Sequence, residues 1–183
     1  MTPFDLTDLL TTRLHLRKLL HADTHDLLAL YGDPAVMRYW SHPAWTSPEQ
    51  AHAAIAEAES DRALGRALHL AMIDRVDARL AGSCALFDIH PQHRRATLGY
   101  LLARPFWGQG LAGEGVAALI AHGFGALGLL RIEAEVARGN IASQALLARL
   151  GFRCEGRLRA RWCVAGEAVD VDLWALLRDD WPA

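Results

Sequence analysis

The sequence is short of cysteine, of unbroken apolar runs and of net charge, and each shortage removes a class of protein. Its three cysteines, Cys84, Cys154 and Cys163, are odd in number and show no Cys-x-x-Cys spacing. That argues against a disulfide framework and a structural zinc site, and no metal is expected. Each lies among apolar or β-prone residues, where cysteine reads as a small buried hydrophobe with a reduced thiol rather than a nucleophile. Met1-Thr2-Pro3-Phe4-Asp5 lacks a basic stretch followed by an apolar one, so no secretory leader is expected and the location expected is cytoplasmic. The richest apolar window, Leu111 to Leu130, is broken by glycines, Glu114 and His122, which does not suit a membrane span. Nineteen Lys and Arg against 21 Asp and Glu leave a net charge of −2, so neither nucleic acid nor a membrane is an expected partner.

What is present is ordinary globular chemistry. Apolar residues make up 52% and charged residues 22% of 183 positions, enough for one domain over residues 1–183 that buries about 70% of its unfolded surface. Arg13-Leu14-His15-Leu16-Arg17 alternates as a strand with Leu14 and Leu16 inward. Asp23 to Asp26 offers caps for a helix through Leu30, and Thr46-Ser47-Pro48-Glu49 opens another over Ala51 to Asp61. An antiparallel meander follows over Ala67 to Ile73, Leu80 to Ile89 and Ala96 to Ala103. Leu111 to Phe124 has helical spacing, and Ile132, Ala134 and Val136 alternate with Glu133 and Glu135 as a strand. Asn140 caps a helix that Gly151 stops, and a hairpin of Phe152 to Val164 and Ala168 to Leu177 turns at Ala165-Gly166-Glu167. The order is that of a mixed α/β (α+β) protein.

Two stretches exceed what a scaffold needs. The loop Met37 to Trp45 carries Tyr39, Trp40 and Trp45, which either line a substrate pocket or cap the core. Gly108-x-Gly110-x-x-Gly113 opens a helix, so free N–H groups and the positive helix end suit an anionic phosphate. The same spacing fits a dinucleotide site, with Glu133 or Glu135 as the ribose-binding acid. Against that, Arg104-Pro105-Phe106-Trp107 separates the strand from the first glycine, and the turn follows a meander rather than a first βα unit.

Taken together, several ordered runs resemble the GNAT acetyltransferase superfamily, in its RimJ/RimL-like branch of ribosomal-protein N-terminal acetyltransferases. They are Thr12 to Arg17, Leu98-Gly99-Tyr100-Leu101-Leu102, Phe106 to Glu114, Arg131 to Val136, Asn140-Ile141-Ala142-Ser143, Leu150 to Gly156 and Leu173 to Trp181. The resemblance implies a GNAT fold: a mixed sheet of about seven strands with about four helices, whose fourth and fifth strands splay apart. Pantetheine would pair with backbone in that cleft as an added strand. It implies acetyl-CoA as cosubstrate, with Tyr100, Leu101 and Leu102 offering backbone groups to pantetheine and the N–H of Tyr100 or Leu101 an oxyanion donor. Trp107, Gly108, Gln109, Gly110, Leu111, Ala112 and Gly113 would hold the pyrophosphate, and Asn140 and Ser143 would reach the pantetheine and sulfur. Dimers are common in this branch, so a homodimer is a further expectation.

The implied chemistry is attack of a neutral amine on the acetyl thioester, for which the protein mainly aligns and polarises. Many members place a tyrosine seven residues after the asparagine as general acid; here that position is Leu147, which leaves Ser143 as the nearest proton donor. A glutamate often precedes the Leu-Gly-Tyr run, and here Thr97 stands there. Asp88, His90 and Glu135 remain as possible bases. Weak base machinery favours a protein N-terminal α-amine, of pKa near 8, over lysine near 10.4. Trp40, Trp45 and Trp162 would shape the acceptor pocket. A small amine such as an antibiotic or polyamine, or a silent acyl-CoA-binding module, are the alternatives.

Overall fold

The structure, a computed structural model, describes residues 8–182, so the expectation about Met1 to Asp5 lies outside the described residues. Its eight strands form one sheet in the order β1-β2-β3-β4-β5-β6-β8-β7. They are β1 (Leu9–Leu10), β2 (Leu14–Lys18), β3 (Leu68–Asp74), β4 (Leu80–His90), β5 (Arg95–Leu102), β6 (Arg131–Ala137), β7 (Arg153–Val164) and β8 (Glu167–Leu177). Five α-helices accompany them: α1 (Thr24–Tyr31), α2 (Pro34–Met37), α3 (Pro48–Ala63), α4 (Leu111–Gly125) and α5 (Ile141–Arg149). The expected elements all form, and the count rises by β1 and α2. Both are too short to show a hydrophobic period. α2 exists because the Asp33 carboxylate accepts from Ala35 N at 2.9 Å and Pro34 pre-sets the first helical position.

Alternation in the strands decides which helices cover which face. Leu14, Leu16, Leu70, Leu98 and Ile132 pack with Leu119, Ile120 and Leu147 of α4 and α5. Ala71, Ile73 and Leu101 pack with Leu27, Leu30 and Ile55 of α1 and α3 on the other face. β7 is the outer strand and is exposed along most of its length. This corrects the cysteine expectation: Cys84 is buried, but Cys154 and Cys163 on β7 are exposed, since no layer covers that strand. The hairpin turn is two residues, Ala165 and Gly166, with φ of 51° and 85°, as the right-handed strand twist demands. Glu167 pairs with Val164 and belongs to β8.

The sheet opens between β5 and β6. They pair in parallel only where Arg95, Ala96 and Thr97 meet Arg131, Ile132 and Glu133. Beyond Thr97, β5 stays bonded to β4 while β6 follows β8. An ion-pair cluster marks the closed end: Glu133 accepts from Arg95 at 3.1 Å and Arg131 at 2.7 Å, and Arg131 also grips Glu155. These pairs sit beside the last shared rungs, so the divergence starts from a fixed point.

Candidate active site

The cleft between the diverging strands is a cavity of about 340 Å³ lined on its strands by Thr97 to Tyr100 and Ala134 to Ala137. Ala103 N donates to Ala81 O at 2.8 Å. Since Leu102 lies opposite Gly82, antiparallel alternation turns the backbone groups of Leu101 and Ala103 toward β4 and those of Leu98, Tyr100 and Leu102 into the gap. Of the two backbone donors anticipated for an oxyanion, only the Tyr100 N–H therefore faces the cleft. Leu101 instead sends its side chain to the α1/α3 core. The Leu102 carbonyl accepts from Trp107 Nε1 at 2.7 Å, which ties the half-exposed indole to the end of β5.

Asn140 is the N-cap of α5, its side-chain oxygen accepting from Ser143 N at 3.2 Å. That cap sets Ser143 facing β5, where its Oγ lies 2.7 Å from the Tyr100 hydroxyl. Sequence reasoning missed this pair, because it joins a strand and a helix 43 residues apart. Burial pushes the Tyr100 phenol up to about 12, against the lowering effect of the Ser143 hydrogen bond, so it stays a protonated donor throughout the neutral range. Leu147, standing where many family members have tyrosine, is fully buried in the core.

The glycine-rich turn stands before α4. Gly108 and Gly110 have φ of 73° and 78°, the left-handed region that favours glycine, and Gly110 is the N-cap. A Cβ on Gly113 would lie 3.2 Å from Leu146, so this glycine serves the close approach of α4 and α5. The N–H groups of residues 108 to 113 find no backbone acceptor among the described residues. Such a run of free donors at a helix start fits a pyrophosphate.

One side of the cleft is aromatic. Tyr39, Trp40, Phe87 and Trp162 line the cleft, and the Tyr39 ring lies so close to Gly139 that a Cβ there would meet it at 3.0 Å. Asp88, at φ 49° in an irregularity between β4 and β5, lines the same space. Glu135 does too, but accepts from Arg161 Nε at 2.9 Å and from Trp162 Nε1 at 2.9 Å. With Glu133 held by two arginines, neither acid stands free as a ribose ligand. His90 lies at the end of β4 and is not among the cleft-lining residues.

Trp40, Phe87 and Gly99 also line a second cavity of about 190 Å³, set among α1, α3 and the sheet. Trp45 belongs to this chamber rather than to the cleft, stacked on Tyr31 at 4.2 Å. Glu57 and His69 line it as well, and burial lowers the His69 pKa against the pull of Asp61 and Glu57. Of the chamber, only the crowding of aromatics after Met37 was visible in the sequence. A more open hollow of about 620 Å³ beside α1 and Arg104 lies off the cleft, and its Arg104 is already paired with Asp33.

Known proteins match this arrangement over most of the chain. The Acetyltransferase (GNAT) domain pattern matches residues 13–153. The uncharacterized N-acetyltransferase p20 of Bacillus licheniformis is 35% identical over 173 residues, which cover 94% of this chain and 97% of that protein. RimJ of Mycobacterium smegmatis, solved in complex with CoA-disulfide, superposes with a TM-score of 0.88 at 24% identity, covering 100% of this chain and 93% of that one. The spermidine N-acetyltransferase of Vibrio cholerae, solved with CoA and spermine, gives 0.83 at 24% identity, covering 93% and 98%. The family match removes the dinucleotide alternative, and with the splayed sheet and its run of free N–H groups it places the chain in the GNAT family, as an acetyl-CoA-dependent N-acetyltransferase.

Proposed function

We propose that the acceptor is the α-amine of a protein N-terminus. The observation that carries this reading is the commitment of Glu135 to Arg161 and Trp162, which leaves Asp88 as the one cleft-lining carboxylate without an ion pair among the described residues. A mostly aromatic wall with one free carboxylate suits a single amine on an otherwise uncharged backbone. An extended polycation calls for more free carboxylates. An α-amine of pKa near 8 is also partly neutral without a strong base.

Acetyl-CoA supplies the activated acetyl group. In this reading the N–H groups of residues 108 to 113, beside Trp107, hold its pyrophosphate, and the gap-facing backbone of Tyr100, with the N–H of Leu102, pairs with the pantetheine arm. The Tyr100 N–H meets charge developing on the carbonyl oxygen. The Asn140 cap holds Ser143 in place, and the Ser143–Tyr100 hydroxyl pair donates a proton toward the departing sulfur. Trp40 and Trp162 flank the amine, and Trp45 acts only through the adjoining chamber.

The reading is tested by kcat/KM for a peptide with a free N-terminus, the same peptide N-blocked with one internal lysine, and spermidine. Near pH 7.5 the free N-terminus should lead the lysine by about two hundredfold, from the difference in neutral fraction. Equal rates for the two peptides would remove the reading. One observation supports a polyamine instead: Asp88 and Glu57 line the two cavities that meet at Gly99. A preference for spermidine would select it.

A further inference from the structure

We infer that Arg13, ninety-six residues before Gln109 of the glycine-rich turn, is a positioning residue for cofactor binding that clamps the turn from behind. This rests on the proposed role of the turn as the pyrophosphate site. The Arg13 guanidinium makes two contacts there: Nε donates to Glu114 Oε2 at 2.7 Å, and Nη1 donates to Gln109 O at 2.7 Å. Glu114, in the first turn of α4, also accepts from Arg13 N at 2.7 Å and Thr11 Oγ1 at 2.6 Å. The segment bearing Arg13 is itself fastened, since Arg75 N donates to Arg13 O at 2.9 Å and Arg75 Nη1 to Thr11 O at 2.6 Å. One rigid strand end thus grips both the helix start and the peptide before it.

The peptide it grips is the one that matters for a phosphate. In a trans peptide the C=O and N–H point in opposite directions. With the Gln109 carbonyl bound to Arg13, the Gly110 N–H of the same peptide faces away from the guanidinium, into the space before the helix. A charged donor on the carbonyl also polarises that N–H, making it a stronger donor to an anion. Gly110 itself, at φ 78°, can rotate more freely than any other residue, so without the clamp this peptide can flip and withdraw its donor. Glu114 balances the arginine's charge at close range, so Arg13 acts through orientation rather than as a free cation for the phosphate.

The test compares acetyl-CoA with S-acetylpantetheine, which keeps the thioester and pantetheine arm but lacks the pyrophosphate. Arg13→Ala should raise KM for acetyl-CoA about tenfold, the scale of one charge-assisted hydrogen bond, with kcat within about twofold by the same reasoning. KM for S-acetylpantetheine should stay unchanged. Arg13→Lys, which keeps charge but not the fork, should fall between. Glu114→Gln should shift acetyl-CoA KM in the same direction and add little to Arg13→Ala, as expected for partners in one network. A loss shared equally by both donors, or no loss, overturns the clamp; if Arg13→Ala does not fold, the lysine and Glu114 variants carry the same comparison. A wild-type protein that binds both donors equally would overturn the pyrophosphate reading itself, and is seen before any variant is made.

Discussion

In the proposed mechanism Tyr100 serves twice through different atoms, its N–H facing the gap and its hydroxyl meeting Ser143. Removing the hydroxyl in Tyr100→Phe leaves the backbone donor in place, so kcat should fall while KM for acetyl-CoA holds. Because a thiol of pKa near 8.5 is a fair leaving group, the loss should stay at the low end for a general acid, about a hundredfold or less. Ser143→Ala should cost the same, and the double variant no more than either, measured as kcat at pH 7.5. A second residue-scale prediction concerns Gly99, where the cleft meets the aromatic chamber. A Cβ there would lie 3.2 Å from Phe87 and 3.7 Å from Trp40. Gly99→Ala should raise KM for the acceptor and leave that for acetyl-CoA alone; a change in both would show that the sheet, not the passage, had moved. At this scale, what the sequence exposed was local: the Asn140 cap acts three residues away, whereas Tyr100–Ser143 and Glu135–Arg161 form across separate elements.

Among the elements, β4 and β5 stay joined while β5 and β6 part, and close backbone approach keeps the former pair tight. A Cβ on Gly82 would run into the Leu101 carbonyl oxygen and lie 2.9 Å from Leu102. Gly82→Ala should therefore cost about 2 kcal/mol of stability, the scale of an overpacked core site, read as a lowered urea midpoint at unchanged m. The sheet was legible strand by strand because its alternation is strong, from Leu14 and Leu16 through Ile132 and Val136. The start of the splay was not, since three shared rungs and the Arg95–Glu133–Arg131 cluster leave no period in the chain. Nor was the role of Glu114: acid in a first helical turn looks like plain dipole chemistry, and its partners Thr11 and Arg13 lie about a hundred residues away.

Taken as a whole, the molecule should lose stability on both sides of neutrality for separate reasons. Burial lowers the pKa of His69 and His122, so the unfolded chain binds protons more readily once pH falls below about 6.5. Their contribution is present above that value and lost as pH falls through the folded pKa. Burial alone would raise the pKa of Glu114 and Asp33, but their hydrogen bonds to Thr11, Arg13, Ala35 and Arg104 outweigh it and hold both low. Their share persists above about 4.5 and disappears in stronger acid. Burial raises the Cys84 thiol and the Tyr100 phenol each to about 12, so stability is retained below about 8.5, the free thiol value, and falls from there up to about 12. Melting temperature should thus decline in two acid stages and one alkaline stage; a single acid stage below pH 4.5 would show that the histidines take no part. One more property belongs to this scale. An outer strand of twelve residues offers a free edge to any passing chain. On β7 the edge is spoiled by two register shifts, by Ala160 at φ 48° and by arginines at 153, 157, 159 and 161. Two copies meeting there would find no straight hydrogen-bonding row and a strip studded with arginines, so edge-to-edge pairing along β7 is disfavoured and crowding should not draw the sheets into fibres through it.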